Sequence, residues 1–170
     1  MCCMLLVLNA CPSVPPSTGE TLPAAQTDTS PAVVPEKADN LAEALDLSSR
    51  IISGSMDSGS SIAIISITAA DLFEGEYALE ELTMLLVMTR KFRVVDRRNL
   101  DIIRAEQQFQ LSGEVDDETA VSIGHLIGAA FVITGSISPW ESAKFLRLRV
   151  LDVQTGQIRA MSSIAYGGNL

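Results

Sequence analysis

Beyond Cys11 the chain contains no cysteine, it has a single histidine, His125, and it places no aromatic residue ahead of Phe73. Each absence excludes something. Without cysteine, the body of the protein can form neither a disulfide nor a thiolate metal site, although this alone says nothing of redox compartment. With one histidine, a Ser-His-Asp arrangement would have to use His125, and no Gly-x-Ser-x-Gly elbow is present to supply the nucleophile. His125 lies in a segment whose apolar face is marked by Gly124 and Ile127, so a surface or half-buried histidine is a plainer reading than a catalytic base. Basic residues are also scarce. Twelve Lys and Arg against 21 Asp and Glu leave a net charge of −9, which argues against a general nucleic-acid binder, whose affinity comes mostly from phosphate neutralisation. No segment is apolar for the roughly 20 residues that a membrane-spanning helix needs.

What is present divides sharply along the chain. Six of the seven prolines precede residue 40, and Lys37 is the only basic residue ahead of Arg50. A stretch so poor in large apolar groups cannot offset the entropy of ordering itself, so residues 12–39 read as a disordered, Pro-rich linker. Ahead of it, Met4-Leu5-Leu6-Val7-Leu8 leads into Leu8-Asn9-Ala10-Cys11, with a small residue immediately before the cysteine. This resembles a bacterial lipoprotein signal over residues 1–11, which implies lipid attachment at Cys11. The basic start of a signal peptide is missing and the apolar run is short, which suggests a truncated start. A linker of roughly 28 residues would span about 30 Å as a coil and up to about 85 Å as polyproline II. A domain so tethered could work well away from its membrane.

Residues 40–170 carry the pattern of one α/β domain. Asn40-Leu41-Ala42-Glu43 fits a capping box, and Leu41, Ala44, Leu45 and Ile52 then hold one helical face. Ile62-Ala63-Ile64-Ile65-Ser66-Ile67 lacks alternation, as expected of a central strand covered on both faces. A helix from Gly75 to Thr89, with Leu79, Leu82 and Leu86 inward, leads to a strand at Phe92–Asp96. Two short helices follow, one marked by Leu100 and Ile103, the other by Ala120, Ile123, Gly124 and Ile127. Between them Gly113 can end one helix and Asp116 can cap the next. Phe131–Thr134 is a further strand. Leu146, Leu148 and Val150 then alternate with Arg147 and Arg149 before the turn Gln154-Thr155-Gly156, which predicts an antiparallel hairpin returning over Gln157–Tyr166 with a wet face near the arginines. The prediction is a mixed β-sheet with helices packed on it, in the order β-α-β-α-α-β-β-β after an N-terminal helix, with right-handed parallel crossovers.

The remaining motifs offer little chemistry. Ser53–Gly59 is Gly-rich but lacks the lysine of a phosphate loop, and reads as a connection. The acidic run Glu114, Asp116, Asp117, Glu118 lacks the alternating ligands and central Gly of a calcium loop, and suits the positive end of a helix. Gly124 and Gly128 share a helix face at a spacing that suits close packing, and Gly135 marks a close approach or bulge in a strand. Arg90, Lys91, Arg93, Arg97, Arg98 and Arg104 crowd half of the basic residues into one stretch, either a solvated face or a patch for an acidic partner. Phe73, placed in the loop after the first strand, and Trp140, placed in the loop before the hairpin, either cap the core edge or anchor a partner. These two are the candidate partner-contact residues. Catalytic, cofactor and metal residues are expected to be absent.

The run from Val94 to Ser136 contains Val94-Val95-Asp96-Arg97, Leu100, Glu106-Gln107, Ser112-Gly113, Gly124, Gly128-Ala129 and Thr134-Gly135-Ser136 in order. In this it resembles the curli-production assembly/transport components, the CsgG-like family, and their relatives, the LpoB-like lipoprotein activators of penicillin-binding proteins. Asp96 stands where that pattern usually has Glu, and Ala130 where an acidic residue often follows Gly-Ala. The resemblance implies a non-enzymatic outer-membrane lipoprotein facing the periplasm of a bacterial envelope, held to the membrane by its N-terminal lipid. Its expected partner is a peptidoglycan synthase, activated by docking. The curli side implies instead an accessory or ring-forming homo-oligomer of a secretion pore. The connections 68–76 and 138–144 leave no room for membrane-spanning hairpins.

Overall fold

A computed structural model describes residues 36–95 and 115–167. The expected lipid-attachment site at Cys11, the linker up to residue 35, the helix marked by Leu100 and Ile103, and the arginines at 97, 98 and 104 lie outside the described residues. Within them the elements run β1 (Glu36–Ala38), α1 (Leu41–Ser53), β2 (Ser61–Ala69), α2 (Leu72–Met88), β3 (Arg93–Val94), α3 (Asp117–Ile127), β4 (Phe131–Trp140), β5 (Ala143–Asp152) and β6 (Ile158–Tyr166). The strands form one mixed sheet in the order β1-β6-β5-β4-β2-β3. β2 pairs in parallel with both β3 and β4, β5 is antiparallel to β4 and β6, and β1 is parallel to β6. The expected α/β architecture and hairpin are therefore present. Strand β1 was not expected; three residues after a proline carry no alternation by which to recognise it.

β2 explains why its sequence does not alternate. Ile62 and Ile64 enter the core beneath α1 and α2, while Ala63 and Ile65 enter the second core beneath α3. Its pairing with β4 then skips a residue, from Ile64 opposite Ile133 to Ser66 opposite Thr134. This bulge at Ile65 reverses the phase of the strand, so that Ile67 returns to the α1/α2 side. Both sheet faces are thus covered by helices, α1 packing on β6 and β5, α2 on β2 and β3, and α3 on β4 and β5.

The helix starts follow from local hydrogen bonding. Asn40 Oδ1 accepts the N–H of Glu43 at 3.0 Å, and Glu43 Oε2 accepts the N–H of Asp39 at 2.7 Å, a capping box whose return bond lands one residue before the cap. Asp116 accepts both the backbone N–H and the hydroxyl of Thr119 at 2.8 Å. The backbone bond from Thr119, then that residue's hydroxyl, hold the Asp116 carboxyl below its ordinary value. α3 ends at Gly128, whose φ of 67° is the left-handed conformation of a helix C-cap. Gly128 therefore terminates the helix, whereas Gly124 alone provides the close approach. A Cβ there would lie 2.6 Å from Val153 Cγ2 and 2.7 Å from Val132 Cγ1.

Candidate functional site

β2 ends at Ala69, opposite Ile137 of β4, and the chain turns at once into α2. Asp71 caps this helix by accepting the N–H of Phe73 at 3.0 Å, so α2 begins three residues earlier than the sequence suggests. Phe73 consequently stands in the first helical turn and not in a loop. Two turns of packing fix its direction. Gly75 is buried so close to β2 that an added Cβ would meet the carbonyl oxygen of Ile67 at 2.8 Å, and Ala78 is fully buried. With that face against the sheet, Leu72 and Phe73 project outward, 81% and 83% exposed.

Trp140 also departs from expectation. It is the last residue of β4, paired with Ala143 across a tight two-residue hairpin of Glu141 and Ser142. Pro139 precedes it without breaking the strand, because β2 has already stopped and β4 is there an edge, where a missing N–H is tolerated. Glu141 adopts a φ of 53°, in the left-handed region where hairpins of this length normally place glycine. That conformation stores roughly 1 kcal/mol or more for a residue with a side chain. Trp140 at the hairpin tip is 61% exposed.

The sheet register brings Phe73 and Trp140 to the same end of the molecule, and an ionic clamp ties their elements together. Lys144 Nζ, opposite Pro139 in the hairpin, donates to Glu74 Oε1 and Oε2 at 2.7 and 2.9 Å. The hydroxyl of Tyr166, at the end of β6, donates to the same Oε1 at 2.9 Å. The first turn of α2, the hairpin and the last strand therefore meet at one carboxylate. Burial, then the hydrogen bond to Glu74 and its negative charge, raise the Tyr166 phenol above its ordinary value near 10. The clamp joins residues 70 and 92 positions apart, a pairing without any local sequence signal. Leu72, by contrast, adjoins Phe73, so its exposure has a local sequence signal.

The remaining polar and charged candidates lie elsewhere. Ser66, Thr68, Thr134, Ser136, Arg147 and Arg149 line a groove of about 490 Å³ on the sheet face beyond α3, the wet face expected from the arginines. Arg149 pairs with Asp117 at 3.3 Å, and Arg147 donates to Ser138 Oγ at 2.9 Å while stacking over Phe145. His125 is exposed on α3. Arg90, Lys91 and Arg93 are solvent-facing. Among the described residues no group of three His, Cys, Asp or Glu could hold a metal ion, and no helix is long and apolar enough to cross a membrane.

A curled mixed sheet with helices on both faces is the α/β fold of the LpoB domains. The chain superposes on the LpoB C-terminal domain from Escherichia coli with a TM-score of 0.61 at 21% identity, covering 71% of this chain and 96% of that one. The corresponding domain from Salmonella enterica gives 0.59 at 22% identity with the same coverage, and the solution structure of E. coli LpoB gives 0.59 at 24% over 93% of this chain and 83% of that one. These likenesses show the fold. Residues 53–144 match the family described as curli production assembly/transport component CsgG. That is more than half of the chain, and the protein belongs to the CsgG family. No curated protein matches the sequence.

Proposed function

We propose that the protein is a non-enzymatic, lipid-anchored component of the bacterial envelope that docks onto a periplasmic protein through its Leu72, Phe73 and Trp140 end. One observation carries this reading: three large apolar side chains are held outward at one end by a clamp that fixes the elements bearing them. Such groups are expensive to leave in water and contribute strongly when a partner covers them, tryptophan above all. Membership of the CsgG family and the LpoB-type fold support an envelope location and a protein partner. The partner we infer is a penicillin-binding protein whose synthase activity rises on docking. For that, the domain must bind the active conformation better than the inactive one, since equal affinity shifts no equilibrium. The lipid is carried at Cys11.

The alternative is an accessory or ring-forming role in curli-type secretion, which the family description favours. Capture from envelope extract with the full chain, beside a Phe73→Ala/Trp140→Ala version, separates the two. Recovery of a penicillin-binding protein that the double variant loses supports activation. Recovery of a secretion component supports transport, and equal recovery by both versions removes the aromatic end from the contact. Mass spectrometry of the membrane-bound protein tests the anchor, since Cys11→Ser must abolish the lipid adduct.

A further inference from the structure

α2 has a second apolar face that the fold does not use. Gly75, Ala78, Leu82 and Leu86 are buried on one side of the helix. On the opposite side Tyr77, Met84, Val87 and Met88 fall at i, i+7, i+10 and i+11, one stripe along the outer surface. They are 48%, 49%, 52% and 70% exposed. A helix that covers a core on one side normally presents charge on the other, and one that is apolar on both sides is normally covered on both. Met84 and Val87 also form one wall of a groove of about 440 Å³ whose other wall includes Val94 and Val95. The stripe continues the outer face on which Phe73 stands one turn before Tyr77, and runs from there to the C-terminal end of α2.

The charges around the stripe identify what covers it. Every charged residue of α2 is a glutamate, Glu74, Glu76, Glu80 or Glu81, and all lie in its first ten positions. None follows until Arg90, Lys91 and Arg93, which are exposed just past its end. The element is thus acidic over its first ten residues and basic just past its finish, with the uncharged run Leu82–Met88, which carries Met84, Val87 and Met88 of the stripe, between. Such a distribution is complementary to itself in antiparallel orientation. From it we infer that two copies of this chain associate through α2 about a two-fold axis close to Thr83, an isologous contact in which each helix supplies both patches. In that register Glu76 and Arg90 of the second copy stand at the same level, each seven residues from Thr83, and Tyr77 meets Met88 of the second copy. The two Glu80 carboxylates are then offset by about 9 Å along the helix axes, which avoids a like-charge contact at the centre.

The contact is small. A helix of 17 residues is about 25 Å long, and one helical face with its adjoining groove falls below the roughly 800 Å² per partner of a standard interface. A transient dimer is the consequence, with a dissociation constant in the micromolar range and below about 100 µM. Sedimentation of the full chain, with reductant present so that Cys2, Cys3 and Cys11 cannot link copies, reads it directly. The expected result is a monomer–dimer equilibrium in which Met84→Glu with Val87→Glu raises the dissociation constant at least tenfold. Arg90→Glu with Lys91→Glu weakens it about tenfold as well, and adding Glu76→Lys and Glu80→Lys to that pair restores it. All six positions are exposed or nearly so, and circular dichroism checks that each variant remains folded. Trp140→Ala leaves the equilibrium unchanged, which separates this contact from the docking end. A chain that stays monomeric to about 100 µM, a dimer indifferent to Met84 and Val87, or a charge reversal that the added lysines fail to rescue overturns the inference.

Discussion

The two ends of the sheet each carry a β-hairpin connection, a five-residue one between β5 and β6 and a two-residue one between β4 and β5, and they are finished in opposite ways. At one end the β5–β6 connection closes on itself: Asp152 accepts from the N–H of Thr155 through Oδ1 at 2.9 Å and from that of Gly156 through its carbonyl at 2.8 Å, and its own N–H donates to the Gln157 carbonyl at 2.9 Å. Gly156 takes the left-handed conformation that this turn needs, with a φ of 70°, and Val153 turns inward against Gly124. At the other end a glutamate takes the left-handed position, and Leu72, Phe73 and Trp140 face water. At the first end the β5–β6 turn obeys the local rules of turn formation and buries Val153, although nearby Arg90 is also left-handed, with a φ of 55°. The second breaks them in two places, and departures of this kind concentrate where structure serves binding.

The strongest test of that contrast removes the aromatic tips. Phe73→Ala with Trp140→Ala should weaken capture of the periplasmic partner by more than 2 kcal/mol, roughly thirtyfold or more, while chemical denaturation shifts by no more than about 0.5 kcal/mol, as for exposed positions. A large loss of stability would return both residues to the role of core caps. The closed end should behave the other way. Gly124→Val forces a side chain into Val153 and Val132 and should cost about 1–3 kcal/mol of stability, read by denaturation, with affinity retained under conditions where the variant is folded.

The clamp sharpens the comparison at a smaller scale. Tyr166→Phe deletes one of the three hydrogen bonds that Glu74 accepts and should cost about 1–2 kcal/mol of stability. If the clamp sets the direction of Phe73 and Trp140, affinity falls several-fold as well, because the side chains remain but their placement loosens. Glu141→Gly should do the reverse. Relief of the left-handed glutamate raises stability by roughly 1 kcal/mol, and unchanged affinity would mean that the strain plays no part in docking.

These features differ in how far the residues announced them. The caps at Asn40 and Asp116, the helix faces, the close approaches at Gly124 and Gly135, and the hairpin with its wet arginine face rest on short-range periodicity, and the structure contains each of them. The aromatic end was harder to place. Asp71 is a cap, but it follows Ala70 and the last residue, Ala69, of a strand that loses its phase at the Ile65 bulge, so Phe73 reads as loop. Pro139 and Glu141 disguise a strand and a tight turn because one removes a donor and the other replaces the expected glycine. Strand β1 is held by pairing with β6 at Ile164–Tyr166, more than 120 residues away, and owes nothing to its own composition. Local reading fails where tertiary contacts override propensity, and here that includes the end that we assign to binding.

The smallest effect is also the most direct probe of the clamp. Tyr166 is held in its neutral form, so its folded-state ionisation lies above the ordinary value near 10. Above that value the unfolded chain releases the phenolic proton while the folded chain retains it. The folded state then binds more protons, and stability must fall as pH rises. Below about pH 10 the contribution is fully present. Stability followed by denaturant titration from neutral pH into the alkaline range should therefore decline with a component that Tyr166→Phe removes. Glu74→Gln keeps the hydroxyl partner but deletes the negative charge, and should make that decline smaller in total, because the folded-state phenol then ionises closer to its ordinary value. An alkaline limb identical in all three proteins would mean that the tyrosine is not coupled to the carboxylate, and the aromatic end would then owe its geometry to the Gly75 contact and the hairpin alone.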